Sequence, residues 1–220
     1  MCGRYGYVGS EESLGEDFPG LAVVDPPVTG YNLSPGRMLS VVMNRGAGPE
    51  LRSLRWGLRA EKIKRPLVNV RAERISEHRL FGPLFRSHRC LVPVTTFVEW
   101  LDDSEPRQPF VAKPKRGRFG LAAVELEGTF GILTRQSEGP LARIHGRMPV
   151  VLGIESFRPW LDPLEGDPQH LRQAVRAFSV SELEVYPVDR AINDARLDGP
   201  ALIVPTPNPT LRDRERMNSH

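Results

Sequence analysis

Only two cysteines, Cys2 and Cys90, occur in the 220 residues, far apart and outside any C-x-x-C or Cys/His spacing. That spacing argues against both a disulfide framework and a zinc site, and no metal or other cofactor is expected. No stretch approaches the ~18 consecutive apolar residues that a membrane span requires, and no basic region followed by an apolar run opens the chain. A soluble, cytoplasmic protein is the expectation. Internal repeats are missing, and so is any linker-like change of composition through residue 204. One domain over residues 2–204 is therefore expected, followed by a tail, 205–220, too poor in apolar residues to fold.

What is present is ample core material and an uneven distribution of charge. The hydrophobic fraction is 40%, and Lys plus Arg exceed Asp plus Glu by 30 to 27, with five histidines counted neutral. Arg52, Arg55, Arg59, Lys62, Lys64 and Arg65 gather around Trp56 against the single acid Glu61. Clustered cations beside an aromatic suit a polyanion with stackable bases, as single-stranded nucleic acid has, and equally suit a solvated loop. A second basic cluster, Lys113 to Arg118, contains Pro114 and Gly117 and reads as a hairpin turn.

Short apolar runs punctuated by Gly, Pro and Asn predict strands at 39–43, 91–100, 110–112, 119–126 and 130–134. Helical spacing appears at 76–85, where Ser76 can cap, and at 154–161 and 168–178. Adjacent strands with few helices and no βαβ alternation predict an α+β fold around a largely antiparallel, barrel-like sheet.

Besides Cys2, four segments carry polar residues that strand patterning does not require. Cys2 follows the initiator, whose removal would leave an α-amine and a thiol on one residue. Their reference pKa values, about 7.7 to 8.0 and about 8.5, leave both partly deprotonated near neutrality. Such a pair can take an aldehyde as an imine and close it to a thiazolidine; equally, Cys2 can be an ordinary small residue. Asn69, Arg71 and Glu73 alternate with apolar residues, so they share a strand face that either meets solvent or binds sugar and phosphate oxygens. Glu99 is wedged between Val98 and Trp100, where apolar walls would raise its pKa and suit acid catalysis, unless an Arg pairs it. His145 stands between Arg143 and Arg147 ahead of an apolar run, as a proton shuttle or a structural residue. Tyr31-Asn32-Leu33-Ser34-Pro35-Gly36 reads as a turn.

Taken in order, Met1-Cys2-Gly3-Arg4-Tyr5, Tyr31-Asn32 through Pro35-Gly36, Trp56-Gly57-Leu58, Asn69 with Arg71 and Glu73, Glu99-Trp100, and His145 with Arg147-Met148-Pro149 resemble the SRAP (SOS response-associated peptidase) family. The resemblance runs from Cys2 to about Asp194. It implies a monomeric shield for abasic sites in single-stranded DNA during the damage response, acting on the nucleoid, with Cys2 crosslinking the lesion aldehyde as a thiazolidine. By that resemblance Asn69 orients Cys2 and the sugar, Glu99 is acid and base, and His145 assists proton traffic and reversal. Arg4, Arg71 and Arg147 would hold phosphates, while Asn32, Pro35, Trp56 and Trp100 would line the DNA channel. A second tryptophan common after Trp-Gly is replaced here by Arg59-Ala60-Glu61, and Arg74 stands where threonine is common. The competing activities are an N-terminal-nucleophile hydrolase, including self-removal of Met1, and a noncatalytic single-strand binder.

Overall fold

The computed structural model describes residues 2–61, 63–102, 104 and 106–207. Its first strands are β1 (Arg4–Tyr7), β2 (Ala22–Val23), β3 (Gly30–Leu33), β4 (Met38–Asn44), β5 (Pro49–Trp56), β6 (Asn69–Arg71) and β7 (Arg89–Val94). After them come β8 (Thr96–Trp100), β9 (Pro109–Pro114), β10 (Phe119–Leu126), β11 (Thr129–Gln136), β12 (Arg147–Pro149), β13 (Val151–Gly153) and β14 (Leu183–Pro187). The α-helices are short: α1 (Glu11–Asp17), α2 (Phe81–Ser87), α3 (Phe157–Leu161) and α4 (Pro168–Arg176).

The larger sheet runs β12-β11-β10-β7-β4-β5-β2, and β5 pairs a second time, in parallel, with β11. That pairing, Thr129 with Arg55 and Phe130 with Trp56, closes β11, β10, β7, β4 and β5 into a barrel. In β5, Leu54 and Trp56 are buried while Arg55 between them stays exposed, the period of two that a half-buried strand demands. At the seam, Trp56 lies parallel to Phe130 with ring centroids 6.2 Å apart and packs on Tyr5 at 5.3 Å. The β10–β11 hairpin turns at Glu127 and Gly128, both at positive φ (48° and 76°), the backbone that suits a two-residue turn between twisted strands.

The smaller sheet runs β14-β9-β8-β1-β3, antiparallel throughout. The run 91–100, read as one strand, is two: after Val94 the Thr95 N–H donates to Gly6 O at 2.7 Å, and the chain leaves the barrel for the second sheet. Lys113–Arg118 is likewise no hairpin, because β9 and β10 belong to different sheets and the segment crosses between them. The helix expected from Ser76 is divided into a 3-10 turn, Ile75–Glu77, and α2. His78 is the reason: its Nδ1 accepts from the Leu80 and Phe81 N–H groups at 3.2 and 3.3 Å, capping α2 from outside. Sequence periodicity missed α1, whose single buried residue, Leu14, gives no apolar stripe, although Ser10 and Ser13 form a reciprocal capping box.

Between β5 and β6 the chain makes an excursion whose neck is closed by Leu58 and Leu67, each N–H donating to the other's carbonyl at 2.9 Å. Exposed Arg59, Lys64 and Arg65 lie on it. After β14 the chain straps back over the smaller sheet, where Val98, Val111, Val188, Ile192 and Leu202 form a second apolar cluster. Thr206 N donates to Pro187 O at 2.9 Å, so pairing extends through that residue; the expected tail beyond 207 lies outside the described residues.

Candidate functional site

The two sheets meet at the amino end of the chain. In β1, Arg4 pairs with Val98 and Tyr5 with Phe97, and continuing that register sets Gly3 abreast of Glu99. From the barrel side, β6 lies parallel to β11, with Asn69 opposite Ile132 and Arg71 opposite Thr134. Cys2 is thereby caught between β8 and β6, fully buried. The Asn69 Nδ2–H donates to the Cys2 carbonyl at 2.9 Å, while Asn69 Oδ1 is buried with no hydrogen-bond partner among the described residues. A buried acceptor so orphaned is costly unless a ligand uses it.

Burial pushes the Cys2 thiol well above its usual pKa, and the nearby Glu99 carboxylate adds to the rise. Glu99 itself is buried, and that burial raises its pKa to about 7. A carboxyl group so poised exchanges a proton near neutral pH. His145 enters from the turn before β12. Its Nδ1 lies 2.8 Å from Arg147 N and 2.9 Å from Arg147 O, and its Nε2 lies 3.4 Å from Asp102 Oδ1. Burial lowers the His145 pKa, so the neutral ring dominates at neutrality. The end of β8 is fastened to this turn by Asp102 N donating to Ile144 O at 3.0 Å and Asp102 Oδ2 accepting from Gly146 N at 3.3 Å. Sequence reasoning missed Asp102; its signal was a carboxylate three places after Glu99.

Other expected residues divide into two groups. Arg71 is exposed and lines a groove of about 550 Å³ with Asn69, Arg74, His78, Phe81 and Arg147. His78 stacks on Phe81 at 4.4 Å there. Arg4 is half-buried, with Nη1 donating to Gly3 O at 2.8 Å. Trp100 is half-buried and donates from Nε1 to Asn193 at 2.7 Å; Pro35 is half-buried in the turn after β3. Arg147 is held by Glu73 and donates to Thr134 O at 2.7 Å, so its expected phosphate grip is at least shared with a carboxylate.

Two assignments to the DNA channel are corrected. Trp56 is buried against Tyr5 and Phe130 with Nε1 donating to Val68 O at 3.0 Å, so it offers no face to a bound strand. Asn32 is also buried, and its Nδ2 donates to the carbonyls of Ile192, Asp194 and Leu197 at 3.0 to 3.2 Å, which makes it a tie between β3 and the C-terminal strap. In both cases the residue type fits a nucleic-acid contact, but the apolar or carbonyl neighbours that claim it come from distant sequence.

A closed barrel joined to a second antiparallel sheet, with Cys2 clamped by Asn69 beside the buried Glu99 where the sheets meet, defines an α+β protein of largely antiparallel strands. The chain belongs to the SOS response associated peptidase (SRAP) family, whose model matches residues 1–195. It is 30% identical to the abasic site processing protein YoqW of Bacillus subtilis, over 92% of this chain and 99% of that one. It is 29% identical to the abasic site processing protein YedK of Escherichia coli, over 93% and 100%. Among solved structures, a phage-related protein of Bordetella bronchiseptica superposes with a TM-score of 0.71 at 25% identity, covering 86% of this chain and 95% of that one. A protein from Bacteroides thetaiotaomicron at 18% identity, with a TM-score of 0.76 over 94% and 100%, shares the fold. Among the described residues no helix is long and apolar enough to cross a membrane, and no group of three or more His, Cys, Asp or Glu could hold a metal ion.

Proposed function

We propose that this protein processes abasic sites, capturing the lesion aldehyde in single-stranded DNA on Cys2 after removal of Met1. The observation that carries the reading is the clamp on Cys2: Asn69 fixes its carbonyl, leaves Oδ1 free for a sugar hydroxyl, and holds the residue beside Glu99. The freed α-amine adds to the C1′ aldehyde of the ring-opened deoxyribose, and loss of one water gives an imine. The Cys2 sulfur then attacks the imine carbon, its proton passes to the nitrogen, and the thiazolidine closes. Because burial keeps the thiol protonated, amine attack comes first and a neighbouring base must relay the thiol proton. Glu99, with its pKa near 7, supplies an acid for ring opening and loss of water and a base for that relay. His145 with Asp102 assists the same traffic, including reversal. Arg4, Arg71 and exposed Arg59, Lys64 and Arg65 attract the phosphates, and His78 with Phe81 offers a stacking surface. The protein acts as a monomer on DNA.

Intact mass spectrometry of the purified chain, mixed with an oligonucleotide carrying one abasic site, tests this. The expected result is an adduct, one water lighter than the sum of its parts, on the species lacking Met1 and absent from Cys2→Ala. No adduct from a trimmed chain, with turnover of an amide substrate instead, would establish the N-terminal hydrolase in its place.

A further inference from the structure

A second groove, of about 510 Å³, lies beyond the Glu73–Arg147 ion pair. Arg135, Ser137, Arg172 and Arg176 line it, and it shares Glu73 with the groove at Asn69 and Arg71. The two are continuous in structure: Gln136 pairs with Arg147 across β11 and β12, Gln136 N donates to Glu73 Oε1 at 2.9 Å, and Ser137 N donates to Gly146 O at 3.1 Å, next to His145.

Four guanidinium groups, those of Arg135, Arg147, Arg172 and Arg176, face two carboxylates, Glu73 and Glu138, along this path. Several donors remain unspent. Arg135 Nε and Ser137 Oγ are buried with no partner among the described residues, although Arg135 Nη2 reaches Glu138 at 2.5 Å. Arg172 uses one nitrogen on Ser76 Oγ at 2.7 Å, and Arg172 and Arg176, four apart on α4, project from one helix face. The apolar lining is only Ala72 and Val175, with no aromatic ring on which a base could stack. Directed N–H donors with excess positive charge and no stacking platform select phosphate oxygens and ignore base identity.

We propose that this groove is a second nucleic-acid site, binding the phosphodiester backbone of the strand after it leaves the Cys2 site, independently of sequence. The inference rests on the nucleic-acid reading above. Binding of undamaged single strands of about 4 and about 16 nucleotides, the ends of the usual site-size range, tests it across a salt series with wild type, Arg172→Gln/Arg176→Gln and Arg176→Glu. For the long strand the double variant should lower the slope of log K against log salt by about 1.4, since each lost single-strand phosphate contact is worth about 0.7. For the short strand the slope should not change, and the rate of adduct formation on a short abasic oligonucleotide should equal that of wild type. Arg176→Glu, exposed on α4, should weaken the long strand further and keeps the test open if the double variant fails to fold. An unchanged long-strand slope, or an equal loss at both lengths, overturns the second site while leaving adduct formation intact. A wild-type chain that forms no adduct and binds neither strand overturns the parent reading along with it.

Discussion

Glu99 carries the sharpest consequence at the scale of single residues. Its pKa is raised by burial from 4.5 to about 7, so the folded state holds the proton more tightly than the unfolded chain does. Stability from this group is therefore fully present below about pH 4.5 and is lost as pH rises toward 7. A difference of about 2.5 units corresponds to at most about 3 kcal/mol. Glu99→Gln, which cannot ionise, should gain in thermal stability relative to wild type across that window and keep the advantage above it; melting temperatures at pH 4.5, 6 and 8 would show it. In adduct kinetics the same variant should lose the inflection near pH 7 that wild type displays. A melting difference independent of pH would mean that Glu99 is already ionised in the fold. The Glu99 carboxylate thus adds to the rise of the Cys2 pKa, while Glu99 itself is raised by burial and by Asp102 and is divided between its two forms near neutrality.

Elements explain why much of the site was legible in sequence and part of it was not. The β6 alternation of Asn69, Val70 and Arg71 and the carboxylate at the end of β8 are local signals, and the structure gives both strands. Closure of β5 on β11 is parallel and non-local, and nothing in the spacing of Trp56 says that Phe130 will cover it. Asn32 is the same case: a turn-like Asn whose acceptors lie more than 150 residues away. Asn32→Ala would leave three carbonyls of the strap without this donor, a loss of about 1 to 3 kcal/mol. It should lower the melting temperature while leaving adduct yield well below that temperature unchanged. A loss of adduct in a fully folded Asn32→Ala protein would restore the residue to the DNA channel.

For the whole molecule, the barrel seam and the clamp of Asn69 on Cys2 share one strand, since β5 and β6 both pair with β11. Gly131 lies in β11 where β5 ends and β6 begins, and a Cβ there would sit 3.2 Å from Leu58 Cβ, Leu67 O and Val70 Cγ2. Gly131→Val must push apart the neck of the excursion and β6 together, at about 1 to 3 kcal/mol for overpacking. Melting temperature and adduct rate should fall together, since β6 carries Asn69; calorimetry and the oligonucleotide assay on one preparation would compare them. A stable variant with a normal rate would show that the seam and the clamp are uncoupled. The burial of Cys2 has a wider implication. On the proposed reading, a residue of general reactivity toward aldehydes is held where access instead of reactivity selects its partner, so an aldehyde carried on a bound strand is favoured over small electrophiles free in solution.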